Sequence, residues 1–316
     1  MTIGIEQQKK KPVIGIYTQP AHFGSYQSDK YQYILQSNIN FIKMAGGDVV
    51  AIPYNGSEEQ LRKLFKGING ILFTGGGLDL GFDSPIENSG VEYNIFTKNA
   101  GFLMDLAEKA NDSGDFFPIW GNCQGFELMQ IIKAGNDHNI LQNIKNNENV
   151  TRKTVLEQRS KLYQNMKQEL IDYVQEENAL FYYHEWAVYP QKFNEYKGVQ
   201  EYFNVTGYSS NQENAMEGDV FVASIEAKNY PFYGLQYHPE YTLYDNNKNV
   251  NKSEKSLEFS RFFGEFFMEQ ARKNNHKFEE KNTEVLEKCK EENFEYVYFP
   301  EGFFQEIQFI KNSQLE

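Results

Sequence analysis

The sequence predicts an α/β fold with a mostly parallel central sheet and helices on both of its faces. Three observations carry this reading. Short, nearly continuous apolar runs recur along the first 135 residues, they alternate with segments of helical periodicity, and several end on glycine or proline. Apolar runs without a polar face suit strands covered on both sides, and strands alternating with helices build βαβ units.

Val13 to Thr18 is the first such run. A helical pattern follows through Ile34, Leu35, Ile39, Phe41, Ile42 and Ala45, and Gly46-Gly47 stops it. Asp48 to Ile52 reads as a second strand closed by Pro53, and Ser57 caps a short helix. Gly70 to Phe73 is a third strand that runs into Thr74-Gly75-Gly76-Gly77. A helix over 91–110 puts Ile95, Phe96, Phe102, Leu103, Leu106 and Ala110 on one side. Phe117 to Gly121 is the fourth strand; it meets Asn122-Cys123-Gln124-Gly125, and a helix from Phe126 to Lys133 follows at once.

Residues 139–200 are less periodic and rich in Asn, Gln and Lys. Strands return at Val220 to Ile225 and Phe232 to Tyr237, the second running into His238-Pro239-Glu240. A strongly amphipathic helix carries Leu257, Phe259, Phe262, Phe263, Phe266, Phe267 and Ala271. The tail holds a charged helical stretch over 279–292 and an aromatic one over 294–310. With no internal repeat and no Pro- or Ser-rich linker, the sequence predicts one domain over 12–280, with 281–316 as an extension packed on it.

Composition excludes several classes. The 316 residues are 40% hydrophobic and 24% charged, which supplies a sizeable core and argues against disorder. A net charge of −13 counts against a nucleic-acid partner. No apolar run approaches the roughly 18 residues a membrane span requires. Two cysteines, Cys123 and Cys289, exclude a disulfide scaffold and a Cys-rich zinc site. No spacing of His, Cys and carboxylates suggests a metal, and no cofactor is expected. Residues 1–11 carry no apolar stretch, so no signal peptide is visible. Five glycosylation sequons, at Asn55, Asn111, Asn149, Asn204 and Asn251, nonetheless point towards the secretory route.

The chemistry concentrates at Cys123. A lone cysteine is most often a buried structural thiol. Here it sits between a strand and a helix N-terminus, flanked by Gly121 and Gly125, in the order of a nucleophile elbow. Helix amides there are expected to lower the thiol pKa and to hold an oxyanion. Such a thiol needs a base, and the base an orienting group. Among five histidines, His22, His138 and His276 lie in polar or loop contexts and read as surface residues. His238 instead ends a strand expected parallel to the Cys123 strand, and Glu240 is placed to hold its tautomer. Cys289, on a charged stretch without elbow glycines, reads as an ordinary surface or half-buried thiol.

Gly121 to Glu127, together with Gly234 to Glu240, resembles the class I glutamine amidotransferase-like superfamily, of flavodoxin-like architecture, and within it the gamma-glutamyl hydrolase (folylpolyglutamate hydrolase) family. Supporting segments run in family order: Lys11 to Ile16, Ile68 to Leu80, Asp115 to Gly121, Tyr183 to Trp186 and Ala271 to Phe278. The resemblance implies a cysteine peptidase of γ-glutamyl bonds that uses no cofactor or metal. It makes Cys123 the nucleophile, His238 the general base and acid, and Glu240 the orienting residue. Glu127 and His184 match substrate-contacting positions. Glu127 stands where amidotransferase domains usually carry Gln, and its carboxylate suits the amino group of a glutamyl unit. The loop at Thr74 matches the family's oxyanion loop but begins with Thr in place of Pro; the amides of Gly76 and Gln124 are taken as the donors.

The resemblance further implies folate poly-γ-glutamates or related γ-glutamyl peptides as substrates, a lysosomal, vacuolar or extracellular setting, and a homodimer. A polyanionic substrate would be repelled by a chain at −13, so turnover is expected to favour mildly acidic pH. Two other readings stand beside it: another glutaminase-type or γ-glutamyl-amine hydrolase of the superfamily, and a catalytically silent binding protein on the same fold.

Overall fold

The computed structural model describes residues 11–81, 83–84, 86, 94–212, 219–277, 294–299 and 303–315. Along the chain, β1 (Val13–Tyr17) leads into a hairpin, β2 (Gln19–Phe23) and β3 (Tyr26–Leu35). Then come α1 (Gln36–Met44), β4 (Asp48–Ile52), α2 (Glu58–Phe65), β5 (Gly70–Phe73), α3 (Ile95–Asp112), β6 (Ile119–Asn122) and α4 (Gln124–Lys133). Short pieces follow: β7 (Leu141–Asn143), β8 (Val150–Arg152), β9 (Thr154–Leu156), α5 (Gln168–Glu176), β10 (Leu180–Tyr182), β11 (Trp186–Val188), α6 (Pro190–Glu195) and α7 (Lys197–Tyr202). The rest is β12 (Phe203–Ser210), β13 (Val220–Ala227), β14 (Phe232–Leu235), α8 (Pro239–Tyr244), α9 (Glu254–Ala271), β15 (Phe294–Phe299) and β16 (Phe303–Lys311).

The central sheet runs in the order β4-β1-β5-β6-β14-β13-β12-β9. Its first five strands are mutually parallel and the last three antiparallel. Alternation along each strand feeds two cores. Ile14, Ile16, Trp120 and Leu235 face α1 and α9, where Phe259, Phe263 and Phe267 are fully buried. Tyr17, Phe73, Ile119 and Phe232 face α2, α3 and α4 instead. Each such phenylalanine contributes about 1.5–3 kcal/mol by leaving water, which fixes the helices on both faces. Ser57, Asn94 and Ser253 cap α2, α3 and α9 by accepting amide hydrogen bonds.

Several expectations change. Ile34 and Leu35 close strand β3, and α1 begins only at Gln36. The apolar pair serves a second sheet, β15-β16-β3-β2, in which Leu35 pairs with Ile307. β12 was not legible in the less periodic middle; a bulge near Gly207 breaks its alternation. His22 lies in β2, exposed and stacked on Phe23. His276 is half-buried, not a surface residue: its Nε2 is 2.7 Å from an Asp115 oxygen and its Nδ1 2.9 Å from the Ile68 carbonyl. It thereby ties the segment after α9 to the loop before β5. Asn111 Nδ2, the atom a glycan would take, already donates to the Ala107 and Phe117 carbonyls.

Cys289 and the charged stretch over 279–292 lie outside the described residues. Among the described residues, no helix is long and apolar enough to cross a membrane, and no group of three or more His, Cys, Asp and Glu could hold a metal.

Candidate active site

Parallel β6 and β14 are adjacent, and each delivers one half of the site at its carboxyl end. The β6–α4 turn carries Cys123 at φ 47° and ψ −109°, a backbone conformation that an L-residue adopts only under strain. The Cys123 amide holds the turn by donating to the Leu235 carbonyl at 2.7 Å. Both flanking glycines are needed for contact. A Cβ on Gly121 would lie 2.8 Å from the Gly125 carbonyl, and one on Gly125 only 2.2 Å from the Phe73 carbonyl oxygen.

β14 ends at Leu235, so His238 does not end the strand but lies three residues past it, and Pro239 opens α8. Glu240 turns back so that its Oε1 lies 2.8 Å from His238 Nδ1. In the neutral ring, that bond places the proton on Nδ1 and leaves Nε2 as an acceptor. His238 Nε2 is buried and, among the described residues, has no hydrogen-bond partner. Gly75 shows how close the two halves come: a Cβ there would sit 3.0 Å from His238 Cε1 and 3.5 Å from Cys123 Cβ. The other Glu240 oxygen accepts from Asn122 Nδ2 at 3.0 Å, and Trp120 Nε1 fixes that amide by donating to Asn122 Oδ1 at 2.7 Å. The carboxylate is completely buried and has partners on both oxygens.

Electrostatics follow from burial and pairing. Burial alone would lower His238, but the Cys123 thiolate and the Glu240 carboxylate outweigh it and carry the imidazole up to about 10. Helix amides alone would lower the thiol, as expected from the sequence; burial instead pushes Cys123 up, and the neighbouring imidazolium only partly offsets this. A shared proton between the two groups is the consequence. The two groups therefore titrate as a pair.

Glu127, matched in the sequence to a substrate-contacting position, lies in the first turn of α4. It is 6% exposed, accepts from Gln236 Nε2 at 2.9 Å, and burial pushes its carboxyl up to about 8. The carboxyl is therefore protonated through neutral pH. The proton is a stability term with a definite sign. The folded chain binds it between about pH 4.5 and 8 and the unfolded chain does not, so stability falls as pH rises through that window. Glu127→Gln is expected to flatten this slope, at most about 1.4 kcal/mol per pH unit, in urea unfolding between pH 5 and 8. An unchanged slope in the variant contradicts the assignment.

Cys123, Glu127, His184, Gly76 and Gln124 all line one cleft of about 680 Å³. Its wall also includes Leu78, Tyr183, Trp186 and, from β16, Gln305. His184 is in place but its nitrogens are spoken for: Nδ1 donates to the Trp186 carbonyl at 2.6 Å and Nε2 lies 2.5 Å from Asn147 Nδ2. Burial lowers it to about 3, so it stays neutral and offers the cleft a ring face rather than a charge. Gln124 is the first residue of α4, where helix geometry leaves the amide without an intrahelical acceptor.

The model of the family described as Peptidase C26 matches residues 12–240, which takes in the elbow, the Gly75 loop and His238-Pro239-Glu240. The chain belongs to the peptidase C26 family. Its relatives include gamma-glutamyl hydrolase of Bos taurus, 30% identical over 275 residues that cover 85% of this chain and 80% of that one. Gamma-glutamyl hydrolase of Rattus norvegicus is 29% identical, over 89% of this chain and 84% of the relative. Gamma-glutamyl hydrolase B of Dictyostelium discoideum is 30% identical, over 96% and 84%.

Within this peptidase C26 chain, the sequence reading missed four groups around His238. Asn122 and Gln236 were within reach of it, since each lies inside one of the two motif segments. Tyr241, which stacks on the imidazole, left only a weak signal one residue past the motif. Gln305 left none, because its strand joins from the far end of the chain.

Proposed function

We propose that the chain hydrolyses γ-glutamyl bonds through a thioester, with folate or antifolate poly-γ-glutamates as the substrate class. The observation that carries this is the elbow thiol of Cys123, which lines the cleft, with His238 buried beside it and its Nδ1 held by Glu240. His238 Nε2 takes the thiol proton, and the thiolate attacks the γ-amide carbonyl. The oxyanion rests on the amides of Gly76 and Gln124. His238 then gives its proton to the leaving amine, and water, activated by the same imidazole, releases the γ-glutamyl group. Glu127 meets the amino group of the glutamyl unit, whose charge would draw its proton away; His184 supports the chain by packing. The gamma-glutamyl hydrolases among the relatives favour this substrate over a free-glutamine amide. Mass spectrometry of products from a defined pentaglutamate folate tests it. Glutamate or oligo-γ-glutamate release by the chain supports the reading, and an untouched substrate sinks it.

Charge sets the conditions. Asp79, Glu148 and Glu185 line the cleft, and its described lining includes no lysine or arginine. With −13 on the chain and a pI near 5.0, a polyanionic tail is repelled at neutral pH. We therefore expect kcat/KM to peak at mildly acidic pH, and added salt to raise it at pH 7.5 by screening. A profile rising steadily from pH 5 to 8 would contradict this. An acidic lysosomal or vacuolar compartment, or secretion, agrees with these conditions, and a homodimer follows family habit.

A further inference from the structure

A single hydrogen bond from Nδ1 to Glu240 leaves an imidazole free to swing about the N–H···O axis. The His238 ring is also met on its face. Tyr241, in the first turn of α8, stacks on it with centroids 4.3 Å apart and planes 13° from parallel. Tyr241 is 6% exposed, and Phe181 flanks both rings at 5.9 and 6.3 Å. Its own position is set from the C-terminal strand. Ile307 and Phe309 of β16 pack with Tyr241, Tyr33 and Phe181 in one buried cluster. Gln305 of the same strand lies beside the Tyr241 hydroxyl, and its Nε2 donates to Asp245 Oδ2 at 3.2 Å. β16 lies beyond residue 240, where the family match ends.

We propose that Tyr241, braced by Gln305 of the C-terminal strand, is a positioning residue that fixes the plane of the His238 imidazole and so aims Nε2 at Cys123. This rests on the cysteine–histidine chemistry proposed above but not on the identity of the substrate. Glu240 fixes the edge of the ring and Tyr241 its plane. The aromatic face also favours the imidazolium over the neutral ring. Other titratable groups facing His238 are Cys123, Glu127, Glu240, His184 and Asp245. Substitution at Tyr241 leaves all of these side chains in place, whereas Gln305→Leu also removes the hydrogen bond that Asp245 accepts. Loss of the stack removes stabilisation of the thiolate–imidazolium pair, so the thiolate forms at higher pH.

Iodoacetamide alkylation of Cys123 as a function of pH, read by peptide mass spectrometry to separate it from Cys289, tests this without a substrate. In Tyr241→Leu the midpoint is expected to rise by about half a pH unit. The same variant should lose about tenfold in kcat with KM within about twofold. Tyr241→Phe keeps the ring and should recover most of both; Gln305→Leu should move the midpoint in the same direction by less. A wild-type midpoint in Tyr241→Leu overturns the proposal. So does a Tyr241→Phe variant as impaired as Tyr241→Leu. Should circular dichroism find Tyr241→Leu unfolded, Gln305→Leu decides, and an unmoved midpoint there overturns it. If the wild-type chain cleaves no γ-glutamyl substrate while these alkylation shifts appear, only the substrate reading falls.

Discussion

Cys123→Ala is expected to lose at least about four orders of magnitude in kcat while folding normally. The reason is that nothing else in the cleft can take its place. His184 is neutral with both nitrogens engaged, and Glu127 is protonated and tied to Gln236. Water in the emptied space would still meet the base and the helix amides, so a small residual rate is expected. The same position separates chemistry from stability. Residue 123 sits at φ 47° and ψ −109°, where glycine is comfortable and alanine is not. Cys123→Gly should therefore unfold at higher denaturant than Cys123→Ala, by an amount of order 1–3 kcal/mol. Both variants should be equally inactive. Turnover by the alanine variant at the wild-type rate would remove the basis of the proposed mechanism. A glycine variant no more stable than alanine would mean that the elbow stores no strain.

What is legible in the sequence is what is local. Cys123 and its glycines fall within five residues, and the physical need for each is steric, so the order of residues alone announces the elbow. His238 and Glu240 are legible for the same reason, because a proline follows the histidine and a carboxylate comes two residues after it. Properties that depend on packing from elsewhere are not. Nothing local shows that Glu127 is buried, yet burial raises its carboxyl against the hydrogen bond from Gln236, which reaches it from beyond β14. The direction of the thiol shift is hidden for a related reason: the helix amides are visible in the order of residues, whereas the burial that outweighs them is not. Ile34 and Leu35 carry helical spacing by accident of the join between β3 and α1. Their partners in β16 lie some 270 residues away, a distance local periodicity cannot register.

Gly125→Ala should be the most damaging single-methyl change in the site. The added carbon would fall 2.2 Å from the Phe73 carbonyl oxygen, 2.5 Å from its carbonyl carbon and 2.7 Å from its Cβ. Two of those atoms are backbone of β5, a strand held on both sides by β1 and β6, so they cannot rotate away. α4 must move instead, and Gly121 blocks it from behind, because the Gly121 Cα already approaches the Gly125 carbonyl too closely to admit a side chain. We expect a loss of about 3 kcal/mol or more in urea unfolding, at or beyond the upper end of ordinary overpacking. In whatever fraction folds, the elbow is displaced, and a shift of about 1 Å between thiol and imidazole costs roughly 100-fold in rate. Gly77→Ala provides the control for stability, since a Cβ there meets nothing within 4 Å. If Gly125→Ala unfolds together with wild type while Gly77→Ala does the same, the close packing of the elbow against β5 is not what holds Cys123 in its strained conformation.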